Sequence, residues 1–257
     1  MSRLSNKVAI ITGAGQGVGR GIAHAMAKEG ADVLVAGRNA EKCGVVVREI
    51  EAMGRRAIFA ACDVTNKSDI DRTVANAMTH FGRIDILVNN AHDTSSVWAT
   101  FMDWTDEAMQ RQLDTSYFAS VWFMQACFPH LKERGGRIIN IISGAAVQSN
   151  PGYLGYSACK AAQSAATRVA AREWGEFGIT ANNIAPLADS PPIQNIIDAR
   201  PEENFEAQVL AQLAIKRIGR CEEDIGRTAV FLASEDASYI TGYTFNLDGG
   251  LMIDGAR

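Results

Sequence analysis

Val8-Ala9-Ile10-Ile11-Thr12-Gly13-Ala14-Gly15-Gln16-Gly17-Val18-Gly19 is the stretch on which the fold turns. A short β-branched run passes into alternating glycines, and a pattern of helical period follows from Arg20. Glycines there permit a tight turn, a close backbone approach to a pyrophosphate, and contact between helix and sheet. The helix amino terminus adds N–H groups and positive dipole. Strand, glycine turn and helix at the head of a β-α-β unit predict a dinucleotide site built from Gly13, Gly15, Gln16, Gly17, Val18 and Gly19.

Outward from this unit the same rhythm repeats. Residues 33–35, 57–60, 84–88, 137–142, 179–184 and 243–247 read as further strands after the first at 8–11, and segments of helical period lie between them. Ile70, Val74, Ala77, Met78 and Phe81 share one helical face, with Thr65 or Asn66 placed to cap its start. Apolar strands separated by amphipathic helices imply an α/β fold, a parallel sheet covered on both faces, with ligands at the strands' carboxyl ends. No repeat, low-complexity tract or linker divides the chain, so residues 1–257 are expected to form a single domain. After the sixth strand Pro191, Pro192 and Pro201 interrupt the pattern, and about 187–216 reads as a substrate lid. Its acids Asp198, Glu202, Glu203 and Glu206 are a solvated helix face or, at an entrance, a mild barrier to polyanions.

Composition narrows the partners. With 25 Lys plus Arg against 29 Asp plus Glu, the net charge of -4 offers no basic field for nucleic acid or an anionic membrane, which favours a small molecule. The five cysteines show no C-x-x-C pair, and the four histidines no metal-ligand spacing, so no metal is expected. The amino-terminal stretch lacks the charged and apolar regions of a secretory signal, and no run reaches membrane-spanning length, so the expected compartment is the cytoplasm.

About twenty residues beyond the glycines, where a carboxylate would favour NAD, stands Gly37-Arg38. A guanidinium fork suits a 2′-phosphate, so NADP(H) is favoured over NAD(H); the alternative is a surface arginine. Asp63, followed by Val64 at the end of the third strand, is placed either to accept from the adenine amino group or to cap a turn.

Tyr156 and Lys160 are four apart in Tyr-Ser-Ala-Cys-Lys at the start of a helical segment and so face one side, and Ser143 just follows the fifth strand. A phenol is a poor base near neutral pH, but an adjacent ammonium stabilises the phenolate. Tyr156 is therefore expected to exchange a proton with substrate oxygen. Lys160 would lower its pKa and hold the cofactor ribose, and Ser143 would hydrogen-bond the carbonyl or hydroxyl.

These residues, with Asn89-Asn90-Ala91 after the fourth strand, Tyr239-Ile240-Thr241-Gly242 and Asp248-Gly249-Gly250, resemble a classical short-chain dehydrogenase/reductase from about Lys7 to the carboxyl terminus. The resemblance implies a Rossmann-type, doubly wound, seven-stranded sheet and hydride transfer between NAD(P) and a carbonyl or secondary alcohol. It also implies a homotetramer or homodimer, with Asn89 supporting the central strand and Asn90 and Ala91 at the cofactor. The chain departs from that pattern near the expected pocket. His92 stands where the family has glycine, either touching substrate or turned to solvent. Ser116 takes the place of an asparagine that holds a water beside the lysine. Pro186-Leu187-Ala188-Asp189-Ser190-Pro191 replaces Pro-Gly-x-x-x-Thr, leaving Ser190 or lid backbone to meet the nicotinamide carboxamide. Tyr153 and the aromatics Trp98, Phe101 and Trp104 are core or cleft; two of them in the cleft would mean an apolar, alicyclic or aromatic substrate. The departures also leave open a dinucleotide-binding sensor or scaffold that has lost chemistry.

Overall fold

The computed structural model describes residues 2–95, 98–148, 150–198 and 204–253. Strands β1 (Val8–Thr12), β2 (Asp32–Gly37), β3 (Ala57–Ala61), β4 (Ile86–Asn89), β5 (Arg137–Ile141), β6 (Thr180–Pro186) and β7 (Thr244–Leu247) form one sheet in the order β3-β2-β1-β4-β5-β6-β7. Every neighbouring pair is parallel. This is the doubly wound Rossmann-type sheet expected. The order reverses at β1, whose Ile11 pairs with both Val35 and Val88, and this switch point opens a crevice at the carboxyl ends.

Crossover segments follow in chain order: α1 (Gly17–Lys28), α2 (Ala40–Ala52), α3 (Lys67–Phe81), α4 (Asp106–Gln112), a π-helical turn (Leu113–Phe118), α5 (Ala119–Leu131), α6 (Ala145–Gln148), α7 (Leu154–Glu173), α8 (Pro191–Asp198), α9 (Phe205–Gln212) and α10 (Arg227–Ala233). Alternation along the strands explains their unbroken apolar runs. Ile11, Val33 and Val35 join Ile22, Met26, Val46 and Val230 in the core on one face, whereas Ile10, Leu34 and Leu87 join Ile70, Val74, Phe123 and Ala170 on the other. The sheet therefore has no wet face. No helix among the described residues is long and apolar enough to cross a membrane.

The helix expected through Ile70 and Phe81 spans Lys67–Phe81, and Asn66 rather than Thr65 caps it, its Oδ1 accepting the Ser68 N–H at 2.9 Å. It stops at Gly82 with φ 76°, a left-handed conformation open to glycine. Beyond β6 the prolines interrupt less than their number suggests. Pro191 opens α8, where a missing N–H is no loss. Pro201, Glu202 and Glu203 lie outside the described residues; Glu206 is exposed on α9 and Asp198 accepts from Gln194 at 2.9 Å.

Candidate active site

One cavity of about 760 Å³ runs along the carboxyl ends of the strands, from the glycine turn and Arg38 at one end to Tyr156, Ile193 and Met252 at the other. Its first wall is backbone. Gly13 has φ 64°, and a Cβ there would lie 2.9 Å from both the Ala91 Cα and the Asn90 Nδ2. Gly15 and Gly17 also line the cavity, with Gln16 and Val18 beside them. Gly19 does not: a Cβ on it would lie 2.5 Å from Asn90 Nδ2 and 2.6 Å from the Gly13 carbonyl oxygen, so its work is helix-to-sheet contact. Gln16 starts α1 without a side-chain cap, which leaves the first-turn N–H groups open toward the cavity. These residues fit a dinucleotide pyrophosphate, for which a side chain at the turn would leave no room.

Thr12, which sequence reasoning did not single out, knits the turn to β4. Its Oγ1 accepts the N–H groups of Asn90 and Ala91, each at 2.9 Å. The Asn90 amide donates to the Thr12 and Gly13 carbonyl oxygens at 2.9 and 3.2 Å, so its side chain holds the turn while Asn90 and Ala91 line the cavity. Asn89 is buried, donates to Asn140 Oδ1 at 2.8 Å and supports the sheet from behind.

At the same end Arg38 lines the cavity, and so does a second cation: Lys42 on α2, which donates to Gln16 Oε1 at 2.6 Å. Lys42 went unnoticed in the sequence because it is separated from Gln16 by a strand and joins it only when Asn39 caps α2. Asp63 and Val64 also line the cavity. Asp63 caps its own turn, accepting from the Thr65 N–H at 3.0 Å and hydroxyl at 2.8 Å, so the turn role is occupied on the cavity wall.

Ser143, Tyr156 and Lys160 all line the same cavity. Burial dominates the electrostatics of the pair. Burial pushes the Tyr156 phenol up to about 12, with the Ser143 hydroxyl pulling the other way; Lys160 is not among the causes. The Lys160 ammonium, 3% exposed, donates to the Ile141 carbonyl oxygen at 2.9 Å and to Gln163 Oε1 at 3.2 Å. Burial pulls its pKa down to about 8. An ammonium has three donors, so one remains for a ribose hydroxyl or the phenol.

Ser116 does not line the cavity. It is fully buried in the π-helical turn, and its Oγ meets His92 Nδ1 at 3.0 Å. The two departures from the family pattern are thus in contact. His92 is turned inward, its ring centroid 5.0 Å from that of Tyr156. Pro186, Leu187 and Ser190 line the cavity as expected, as does Pro191. Among the expected aromatics Tyr153 and Trp98 reach it; Phe101 is 73% exposed, away from it, and Trp104 is core. Leu251 and Met252 were missed: the Asp248 carboxylate accepts the N–H groups of Gly250, Leu251 and Met252 at 3.0 to 3.2 Å, folding this turn onto the cavity. Cys159 is packed as expected, its Sγ donating to the Tyr156 carbonyl oxygen at 3.1 Å.

A family model described as Enoyl-(Acyl carrier protein) reductase matches residues 13–252. The chain is 37% identical over 258 residues to a 12alpha-hydroxysteroid dehydrogenase of Clostridium sp., covering 98% of each chain. It belongs to the short-chain dehydrogenase/reductase family. A 3-oxoacyl-(acyl-carrier-protein) reductase of Staphylococcus epidermidis is 35% identical, covering 96% of this chain and 99% of that one. A solved 7α-hydroxysteroid dehydrogenase complexed with NADH and 7-oxo glycochenodeoxycholic acid superposes with a TM-score of 0.91 at 34% identity, covering 96% of this chain and 95% of that chain. This family member is an oxidoreductase that uses a nicotinamide dinucleotide to move hydride to or from a carbonyl or alcohol carbon.

Proposed function

We propose that the enzyme is an NADP-linked dehydrogenase or reductase acting on a secondary alcohol or ketone set in an apolar, alicyclic or aromatic frame. The observation that carries this reading is that Ser143, Tyr156 and Lys160 share one cavity with the glycine turn. The bound dinucleotide supplies or accepts the hydride. In reduction Tyr156 gives its hydroxyl proton to the substrate oxygen while Ser143 donates a hydrogen bond to that same oxygen; in oxidation the phenolate takes the proton back. Lys160, anchored by Ile141 and Gln163, keeps a donor for the ribose and places positive charge behind the phenolate.

Two cations, Arg38 and Lys42, support NADP over NAD at the end where a ribose phosphate would sit. Trp98, Tyr153, Ile193, Leu251 and Met252 support a bulky apolar substrate, and the two hydroxysteroid relatives agree with a fused-ring ketone or alcohol. Residues 187–216 act as the lid, with Ser190 and the Leu187 backbone serving the carboxamide. The chain works in the cytoplasm as a homodimer or homotetramer. Competition titration with NADP and NAD, followed by a screen of cyclic ketones and alcohols on the preferred dinucleotide, tests the reading. NADP binding tighter by roughly tenfold or more, one phosphate contact's worth, is expected. Preference for NAD would overturn the assignment of Arg38.

A further inference from the structure

His92 presents a chemical oddity. Its Nδ1 is engaged by the Ser116 hydroxyl at 3.0 Å, yet its Nε2 is buried and has no hydrogen-bond partner. Leaving a polar atom desolvated and unpaired costs roughly 1–3 kcal/mol, so such an atom calls for a partner that arrives later. The ring lies on the cavity wall against the phenol that serves the reacting oxygen.

The supports of this ring are themselves buried and linked. Ser116 is held where the helix widens into its π-helical turn. Ser120 donates to the Ser116 carbonyl oxygen at 2.7 Å, Gln163 donates to Ser120 Oγ at 2.7 Å, and Gln163 in turn accepts from Lys160. One polar network therefore holds both the imidazole and the active ammonium. Burial and the Lys160 charge keep the His92 pKa well below its ordinary value, with Asp93 opposing, so the imidazole is neutral at working pH. A neutral ring carries one proton. The Nδ1–Ser116 contact allows either tautomer; when the Ser116 hydroxyl donates to Nδ1, that proton sits on Nε2 and the unpaired atom is a donor.

We propose that His92 is a further catalytic residue, donating its Nε2–H to the substrate oxygen that Tyr156 serves, with Ser116 fixing the ring and its tautomer. A neutral imidazole in this place polarises a carbonyl without competing for the proton that Tyr156 delivers. The inference rests on the assignment of Tyr156 to the reacting oxygen.

The test uses the full-length enzyme with NADPH and the best ketone from the screen, comparing His92→Phe, His92→Gln, Ser116→Ala, the double variant His92→Phe/Ser116→Ala, and Tyr156→Phe. His92→Phe keeps a ring against the phenol and loses the donor. Its kcat should fall about 10²- to 10³-fold, in the range of a lost oxyanion donor, with NADPH affinity unchanged. His92→Gln, which keeps an N–H, should recover part of the loss. Ser116→Ala should lower kcat several-fold alone and add nothing in the His92→Phe background, since the pair acts as a unit. If His92→Phe does not fold, His92→Met takes its place. Unchanged kcat in His92→Phe, a loss confined to NADPH affinity, or Ser116→Ala effects that multiply with His92→Phe would each overturn the proposal. Tyr156→Phe separates the failures: a dead Tyr156→Phe beside an active His92→Phe sinks only the His92 role, whereas an active Tyr156→Phe sinks the mechanism beneath it.

Discussion

Gly13 shapes one end of the cleft by having no side chain, with Gly19 packed behind it, whereas His92, Tyr156 and Lys160, with Ser116 behind the imidazole, shape the other through buried polar atoms. At Gly13 and Gly19 an added Cβ would strike backbone, the Ala91 Cα at 2.9 Å and the Gly13 carbonyl oxygen at 2.6 Å, which cannot yield; at the second end, every group has a neighbour that could be exchanged for another of similar size. The contrast suggests a division of labour. The dinucleotide half tolerates almost no substitution and is general, while the reacting half is held by a network that variation can retune.

The largest effect expected from that contrast is at Gly13. Gly13→Val places a branched side chain at φ 64° against the Ala91 Cα, and dinucleotide affinity should fall about 100-fold or more through strain and overpacking. Fluorescence titration with NADPH reads it, and near-normal binding would break the comparison. Next is Gly155 on the reacting side, where a Cβ would lie 2.6 Å from the Trp104 ring. Trp104 Nε1 donates to the Ala99 and Gly152 carbonyl oxygens at 3.1 and 3.3 Å, tying the loop after β4 to the start of the catalytic helix. Gly155→Ala should reduce kcat roughly tenfold by displacing Tyr156, leaving dinucleotide affinity intact.

A smaller effect appears in stability against pH. Lys160 has a pKa depressed from 10.5 to about 8 in the folded chain, so between these values the unfolded chain holds a proton that the folded chain has lost. Stability from this group is therefore present at high pH and is lost as pH falls through about 8. Tyr156 runs the other way: its pKa is raised from 10 to about 12, so its contribution is present below 10 and is lost between 10 and 12. Urea unfolding at stepped pH should show the rise from pH 8 in the wild type and lose it in Lys160→Met. A Lys160→Met curve that rises like the wild type would contradict the burial of the charge. The smallest effect is at Lys42: Lys42→Ala should weaken NADP about three- to tenfold, as for one partly exposed phosphate contact, and leave NAD unchanged.

Legibility in the sequence followed the same divide. The strands, the glycine turn and the positions of Ser143, Tyr156 and Lys160 were readable because periodicity and glycine spacing are local properties of the chain. The Lys42–Gln16 contact, the role of Thr12 and the Asp248 clasp on Leu251 and Met252 were not, since each depends on segments brought together only by the sheet. His92 and Ser116 were visible as separate departures, but their contact was not, because they are 24 positions apart in the numbering. The balance of burial against charge at Tyr156 was not legible either, because it depends on how deeply the packed site covers the phenol. The ammonium is drawn to the Ile141 carbonyl and Gln163, so desolvation decides where the phenol titrates.

The most direct measurement is turnover by Tyr156→Phe, with NADPH affinity taken in parallel. Removing one oxygen atom leaves the ring and its contacts, so affinity should be kept while ketone reduction falls by about 10²- to 10⁴-fold, the range of a lost general acid. Turnover at the wild-type rate with unaltered affinity would show that the substrate's proton comes from elsewhere.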